Sequence, residues 1–209
     1  MAIPSDSAQF NSEQSALHFF SELKKALDGV SLSSLLATCD EIFNCWKRGG
    51  VVYVMGNGGS GATASHFVCD LSKWTASEGK LRIKAISLNE NMPLISAISN
   101  DIGFDAVYVE QLKNYDVGKN DILIGFSTLG SSRRDKRTIR SNNLIEALKY
   151  AKSKGAKTIG FIGFDGGLMK DFCDISIIVP VNSVIHTESV HVCLCHFIAQ
   201  NLKQRINSL

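Results

Sequence analysis

His66 and Asp70 stand four residues apart in the run that follows Gly56-Asn57-Gly58-Gly59-Ser60-Gly61, so on a helix they share one face. Towards the other end of the chain, Glu188, His191 and His196 fall on one predicted helix. Glu188 and His196 lie about 80° apart around such a helix and ~12 Å apart along it. They can flank one pocket, although reaching a single ion would stretch both side chains. His191 lies about 140° from His196 on the same helix, so the two are expected to do different work. Two carboxylates and two histidines (His66, Asp70, Glu188, His196) are a usual set for a divalent metal such as zinc. The same groups suit proton transfer between adjacent carbons. Sugar-phosphate isomerisation needs that transfer: a base takes the proton beside a carbonyl, an enediol forms, and an acid returns a proton to the neighbouring carbon. The plain alternative is that each histidine is a satisfied polar residue of the fold, and the pairing of the groups weighs against it.

A second kind of chemistry sits just upstream. The glycines of Gly56–Gly61 leave backbone N–H groups unobstructed, and the helix that begins near Ser60 points its positive end at the same spot. Gly58, Gly59 and Ser60 are the candidate donors. A second loop, Ser127-Thr128-Leu129-Gly130-Ser131-Ser132, is dense in hydroxyls. Two such loops suit a monophosphate held mainly by neutral donors, although Gly and Ser also populate ordinary turns. The spacing Gly56-x-Gly58-x-x-Gly61 also fits a dinucleotide fingerprint. That reading needs an acidic residue at the end of the second strand about 20 residues on, and Glu90 is a poor match. No Gly-Lys-Ser/Thr follows, so a Walker A loop is excluded.

These loops need a sheet to hold them. Apolar segments at 51–55, 83–88, 121–126, 157–162 and 175–179 read as strands, and the intervening stretches 60–73, 92–99, 105–114, 143–154 and 187–206 as helices. Apolar strands separated by helices predict a parallel sheet covered on both faces, hence an α/β fold: a three-layer αβα sandwich with a five-stranded parallel sheet. Ligands of such sheets bind at the carboxyl ends of the strands, where both loops fall. Residues 1–50 show only helical periodicity, broken at Asp28-Gly29 and ended at Gly49-Gly50. They read as an N-terminal helical hairpin, with residues 51–209 as the phosphosugar-binding unit. The basic stretch from Arg133 to Arg140 interrupts a strand-to-helix connection and reads as a solvated loop.

The chain has 209 residues, 44% of them apolar, and a net charge of +2, which predicts a packed domain and gives no reason to expect a nucleic-acid partner. No apolar run approaches the ~20 residues of a membrane span, and the polar N-terminus carries no leader pattern. Six scattered cysteines without a CxxC pair read as buried thiols of a reduced, cytoplasmic protein.

The motifs in combination resemble the sugar isomerase (SIS) family, specifically its phosphoheptose isomerase branch, over roughly residues 30–206. They are GNGGS at Gly56–Ser60, HxxxD at His66–Asp70, SNDIGF at Ser99–Phe104, STLGSS at Ser127–Ser132, DGG at Asp165–Gly167 and ExxHxxxxH at Glu188–His196. The resemblance implies the αβα sandwich with an N-terminal helical pair, a homotetramer with active sites at subunit contacts, and conversion of sedoheptulose 7-phosphate to D-glycero-D-manno-heptose 7-phosphate, often with zinc. It puts Ser60, Ser127, Thr128 and Ser132 on phosphate positions and Asn57 and Asp101 on sugar-contact positions. It puts His66, Asp70, Glu188 and His196 on metal and acid/base positions, with Asp70 and His196 as the proton-transfer pair and Glu188 also against substrate.

The chain departs from that pattern. Asp70 stands for a glutamate, Glu188 for a glutamine, Leu129 for a phosphate-loop serine and Trp74 for an arginine, and Val184-Ile185-His186 replaces a polar stretch. About nine residues are inserted after Ser132, so a second alignment puts the last phosphate serine at Ser141. Some SIS proteins sense sugar phosphates or bind partners, among them a bacterial replication initiator, without turnover. A non-catalytic module is therefore the alternative expectation.

Overall fold

The computed structural model describes residues 11–131 and 141–209. The N-terminal hairpin consists of α1 (Ser12–Asp28) and α2 (Leu32–Lys47). Each begins where a side-chain oxygen accepts from an otherwise unpaired N–H: Asn11 from Gln14, and Ser31 from Ser34. Then β1 (Val51–Gly56) leads into α3 (Gly59–Cys69). The helix expected to run to residue 73 widens at Asp70–Trp74 into a π turn, in which the Thr75 N–H reaches back five residues to the Asp70 carbonyl at 3.2 Å. There follow β2 (Lys84–Ser87), α4 (Met92–Asp101), a 3-10 turn at Phe104–Ala106, α5 (Val107–Asn114), β3 (Ile122–Ser127) and α6 (Asn142–Ser153). The chain finishes with β4 (Lys157–Gly163), a 3-10 turn at Met169–Phe172 that the periodicity did not reveal, β5 (Ile175–Val179) and α7 (Val184–Asn207).

All five strands are parallel, in the order β2-β1-β3-β4-β5. The β-branched, apolar strands have both faces buried, as parallel sheets require. Val52 and Val54 point to one side, with Ile122, Ile124, Ile159 and Phe161, and meet α2, α3 and α7. Tyr53 and Met55 point to the other, with Leu123 and Ile162, and meet α4, α5 and α6. These are the three expected layers. The hairpin's buried residues, including Leu35, Cys39 and Ile42, share the first of these cores with the sheet.

The last helix starts earlier than its periodicity suggests. Ser183 caps it by accepting from the His186 N–H at 3.4 Å, and the His186 ring bridges Ser183 Oγ at 2.7 Å and the Phe19 carbonyl at 3.1 Å. The cap thus depends on a contact with α1 that lies far away in sequence. No described helix is long and apolar enough to cross a membrane.

The strand order has one consequence for ligands. The chain leaves β1 for β2 on one side and for β3 on the other, so the crevice between the carboxyl ends of β1 and β3 is the topological switch point. Gly56–Ser60 follows β1 and Ser127–Ser131 follows β3.

Candidate active site

The two loops meet in one hollow of about 200 Å³ at that switch point. It is lined by Asn57, Ser60, Ser127, Thr128, Leu129, Ser131, Ser141, Phe126 and Leu144. Gly58 has φ +56°, a conformation costly for any residue with a side chain, where β1 turns into α3; of the expected donors on this loop, Ser60 lines the hollow and Gly58 and Gly59 do not. Ser127 Oγ accepts from the Gly130 N–H at 3.0 Å, which closes the second loop on itself. The Asp165–Gly167 segment supports that loop from behind. The Met169 N–H donates to the Gly130 carbonyl at 2.9 Å, and the Gly166 backbone abuts Gly130 so closely that a side chain at Gly130 would collide with it. Ser131 and Ser141 both reach the hollow and are joined by a 3.1 Å hydrogen bond from Ser131 Oγ to the Ser141 carbonyl. Ser132 lies outside the described residues, as does the basic stretch 133–140.

Asn57 is held by a network that sequence reading missed. Its amide pairs reciprocally with that of Asn143, at 2.8 and 2.9 Å, and the Tyr108 hydroxyl lies 3.2 Å from its Oδ1. Tyr108 also donates to the Gly56 carbonyl at 2.6 Å, and Asn89 grips both the N–H and the C=O of Gly56. Burial pushes the Tyr108 phenol up to about 12, so it stays a neutral donor. Tyr108, Asn89 and Asn143 come from α5, the β2–α4 loop and α6. No local spacing ties them to the glycine loop.

Further along α3, Asp70 Oδ2 lies 3.6 Å from His66 Nε2 and 3.7 Å from His196 Nε2, and the two ring nitrogens face each other at 3.3 Å. The α-helical spacing brings His66 to Asp70, and the packing of α3 against α7 delivers His196. Both imidazoles are about half exposed, at 49% and 55%, whereas Asp70 is 17% exposed and its Oδ2 is buried without a hydrogen-bond partner. One atom from each residue lies within 4.8 Å of the others, the only such convergence of possible metal ligands among the described residues. Two imidazole nitrogens and an unpartnered carboxylate oxygen aimed at one point fit a cation such as Zn²⁺.

Glu188, expected as a fourth ligand, does not join this group. Two turns of α7 separate it from His196, and its carboxylate lies at the start of α3, where a Cβ on Gly59 would come within 2.5 Å of it. It therefore stands near the phosphate-side loop. Asp101 ends α4, exposed, accepting from Asn100 Nδ2 at 2.8 Å, and lines neither hollow. Asp70 and His196 border a cleft of about 550 Å³ together with Trp74, Cys193, Phe197, Ala199 and Gln200. No residue lines both this cleft and the phosphate-side hollow.

His191 belongs to the core. It is buried edge-on against Phe126 and Phe161, with no hydrogen-bond partner on either ring nitrogen, and burial holds its pKa down at about 3. The unfolded chain binds this proton near pH 6.5 and the fold does not. Its contribution to stability is complete above that value and is lost as pH falls towards 3, at roughly 1.4 kcal/mol per pH unit. Denaturation of wild type and His191→Leu between pH 6.5 and 4 should show a steeper loss in wild type. Parallel curves would contradict the assignment.

The fold and these two hollows define a class: a doubly wound α/β sandwich with a hydroxyl-lined hollow of anion size at its switch point and a carboxylate–imidazole cluster further along α3. Comparison narrows the class. The SIS domain family model matches residues 18–163. The phosphoheptose isomerase of Aliarcobacter butzleri is 36% identical over 161 residues, covering 77% of this chain and 79% of the relative. That of Campylobacter jejuni serotype O:6 is 34% identical over 178 residues, covering 85% and 90%. The lincomycin biosynthesis protein LmbN of Streptomyces lincolnensis is 38% identical over 159 residues, and the match spans 56% of its length. Among solved structures, the phosphoheptose isomerase of Neisseria gonorrhoeae superposes with a TM-score of 0.79 at 26% identity, covering 94% of this chain and 98% of the other. The chain belongs to the SIS domain family, on its phosphoheptose isomerase branch.

Proposed function

We propose that this protein is an aldose–ketose isomerase of a phosphorylated sugar, converting sedoheptulose 7-phosphate to D-glycero-D-manno-heptose 7-phosphate. The observation that carries the reading is Asp70 Oδ2, unpartnered between two imidazoles, on the same helix whose first turn borders an anion-sized hollow. Ser60 precedes His66 by six residues and Asp70 by ten, or about 9 and 15 Å of helix. An extended seven-carbon phosphate reaches roughly 10 Å from phosphorus to C1 at ordinary bond lengths. A phosphate among the N–H groups of Gly58, Gly59 and Ser60 and the hydroxyls of Ser127, Thr128 and Ser131 or Ser141 therefore leaves C1 and C2 near the cluster. Asn57 faces the sugar chain from one side. Glu188, beside Gly59, is assigned to sugar hydroxyls, whereas Asp101, which lines neither hollow, takes no part within one chain.

In this reading the Asp70 carboxylate takes a proton from C1 of the ketose while the C2 carbonyl oxygen gains one, giving the enediol. His196 delivers a proton to C2 as the O1 proton departs, so C1 is oxidised to the aldehyde and C2 is reduced to the carbinol. When they are not carrying protons, His66, Asp70 and His196 would hold a zinc ion through these same atoms, and such an ion would supply Lewis acidity. Metal analysis of purified protein is expected to give close to one zinc per chain, falling below a tenth in a His66→Ala/His196→Ala double variant. Equal metal content in the two would remove the ligand assignment.

The assay that tests the function incubates the protein with sedoheptulose 7-phosphate, with and without added zinc, and follows the aldose product. Binding of the sugar phosphate without turnover would instead favour a sensing or partner-binding module. A homotetramer fits the exposed Leu17, Phe20, Leu32 and Leu36 of the helical hairpin, apolar surface that assembly would cover. Light scattering of the eluted protein reads the mass directly. Six free thiols fit a reducing, cytoplasmic setting, although only Cys39, Cys45 and Cys195 are buried as expected, Cys69 and Cys193 being exposed.

A further inference from the structure

Next to the Asp70–His196 couple stands a side chain for which the mechanism above has no use. Trp74, the last residue of the π turn, is 52% exposed and shares the 550 Å³ cleft with Asp70, His196 and Phe197. A large aromatic ring left this open, on a turn that buries Leu71 fully, adds little to the core. The ring is nevertheless held. Lys203 Nζ sits 4.3 Å from its centroid, and Trp74 also borders an adjoining hollow with Lys73, Lys203 and Asp70. The indole thus meets an ammonium group and also borders the cleft of the proton-transfer pair. The wider π turn, of a kind that recurs at functional sites, sets where position 74 falls relative to Asp70.

We propose that Trp74 is a specificity residue, on which the reacting end of the sugar stacks through its C–H face while Lys203 keeps the indole in place. The exposed face of an aromatic ring offers apolar contact of fixed shape with no hydrogen-bonding demand. It therefore suits carbons whose hydroxyls point elsewhere. The inference rests on the proposed phosphosugar reading.

The chain has two tryptophans, Trp46 and Trp74, and Trp46 is tied to the Leu81 carbonyl away from the cleft. In a Trp46→Phe background, indole emission therefore reports Trp74 alone. Sedoheptulose 7-phosphate should quench or shift that emission, whereas inorganic phosphate, which fills only the distal hollow, should leave it unchanged. Trp74→Ala should raise KM for the sugar phosphate by about tenfold with kcat changed less than about threefold, and Trp74→Phe should recover most of the loss. An emission change produced equally by inorganic phosphate, or an unchanged KM in Trp74→Ala, would overturn the proposal. Should Trp74→Ala fail to fold, the emission titration of the Trp46→Phe protein still decides. A sugar-dependent emission change in a protein that turns nothing over would refute the isomerase reading and leave the stacking role standing.

Discussion

Asp70→Asn should lower kcat for sugar-phosphate isomerisation by about 10²–10⁴-fold, and His196→Ala should do the same, the range expected when a positioned proton-transfer group is removed. Asparagine keeps the volume of Asp70 and its place between His66 and His196 but cannot accept a proton from carbon. Neither change should cost much stability. Both imidazoles are about half exposed and Asp70 makes no hydrogen bond through Oδ2, so neither change breaks a buried hydrogen bond. KM should move little, because the phosphate is held elsewhere. Turnover in D2O separates the two roles. A protein that has lost its base incorporates no deuterium, whereas one that has lost only the returning acid still exchanges the proton removed from C1. Wild-type turnover in both variants would end the assignment of this pair.

The second large effect should come from Ser127→Asp. Ser127 is 6% exposed and lines the phosphate-side hollow, where its Oγ accepts from the Gly130 N–H. An aspartate can accept from the same N–H, so the loop keeps its closure while the hollow gains a negative charge. A carboxylate about 4 Å from a phosphate charge costs roughly 4 kcal/mol at the effective dielectric near a protein surface. KM for the sugar phosphate should therefore rise about 10²–10³-fold, with inhibition by inorganic phosphate weakened in parallel. Ser127→Ala, which removes one neutral donor, should cost about tenfold. An unchanged KM in Ser127→Asp would show that the anion binds elsewhere.

The Ser127 hollow lies by the first turn of α3, and Asp70 lies just past its last turn. Ser60 lies in the first turn of α3, His66 lies further along it and Asp70 directly follows it, so in the proposed reading helical rise rather than a loop sets the distance between phosphate and reacting carbons. A rigid spacer of this kind selects the length of the substrate. The π turn marks where that spacer ends. It begins at Asp70 itself and sets the direction of Trp74.

Much of this was legible in the residues. Val51–Met55 could be read as a buried parallel strand because its side chains are apolar on both faces, and the structure buries Val52 and Val54 to one side and Tyr53 and Met55 to the other. The pairing of His66 with Asp70 follows from helical spacing alone. Glu188 shows the limit of the same reasoning. Its spacing from His196 measured how far apart the two must be, but not which of them would face the cluster. The start of α7 was also misplaced, because Ser183 and His186 gain their capping role from the Phe19 carbonyl of a distant helix.

Local order of residue types determined the strand and helix segments, the glycine loop and the one-turn imidazole–carboxylate pair, since each depends on backbone geometry within a few positions. Only the folded chain decided the strand order that makes β1 and β3 neighbours, the meeting of His196 with Asp70, and the clamp of Tyr108, Asn89 and Asn143 on the glycine loop. Those contacts join residues as far apart in sequence as Asp70 and His196. Side-chain packing between whole elements brings them together, and no periodicity along the chain encodes it.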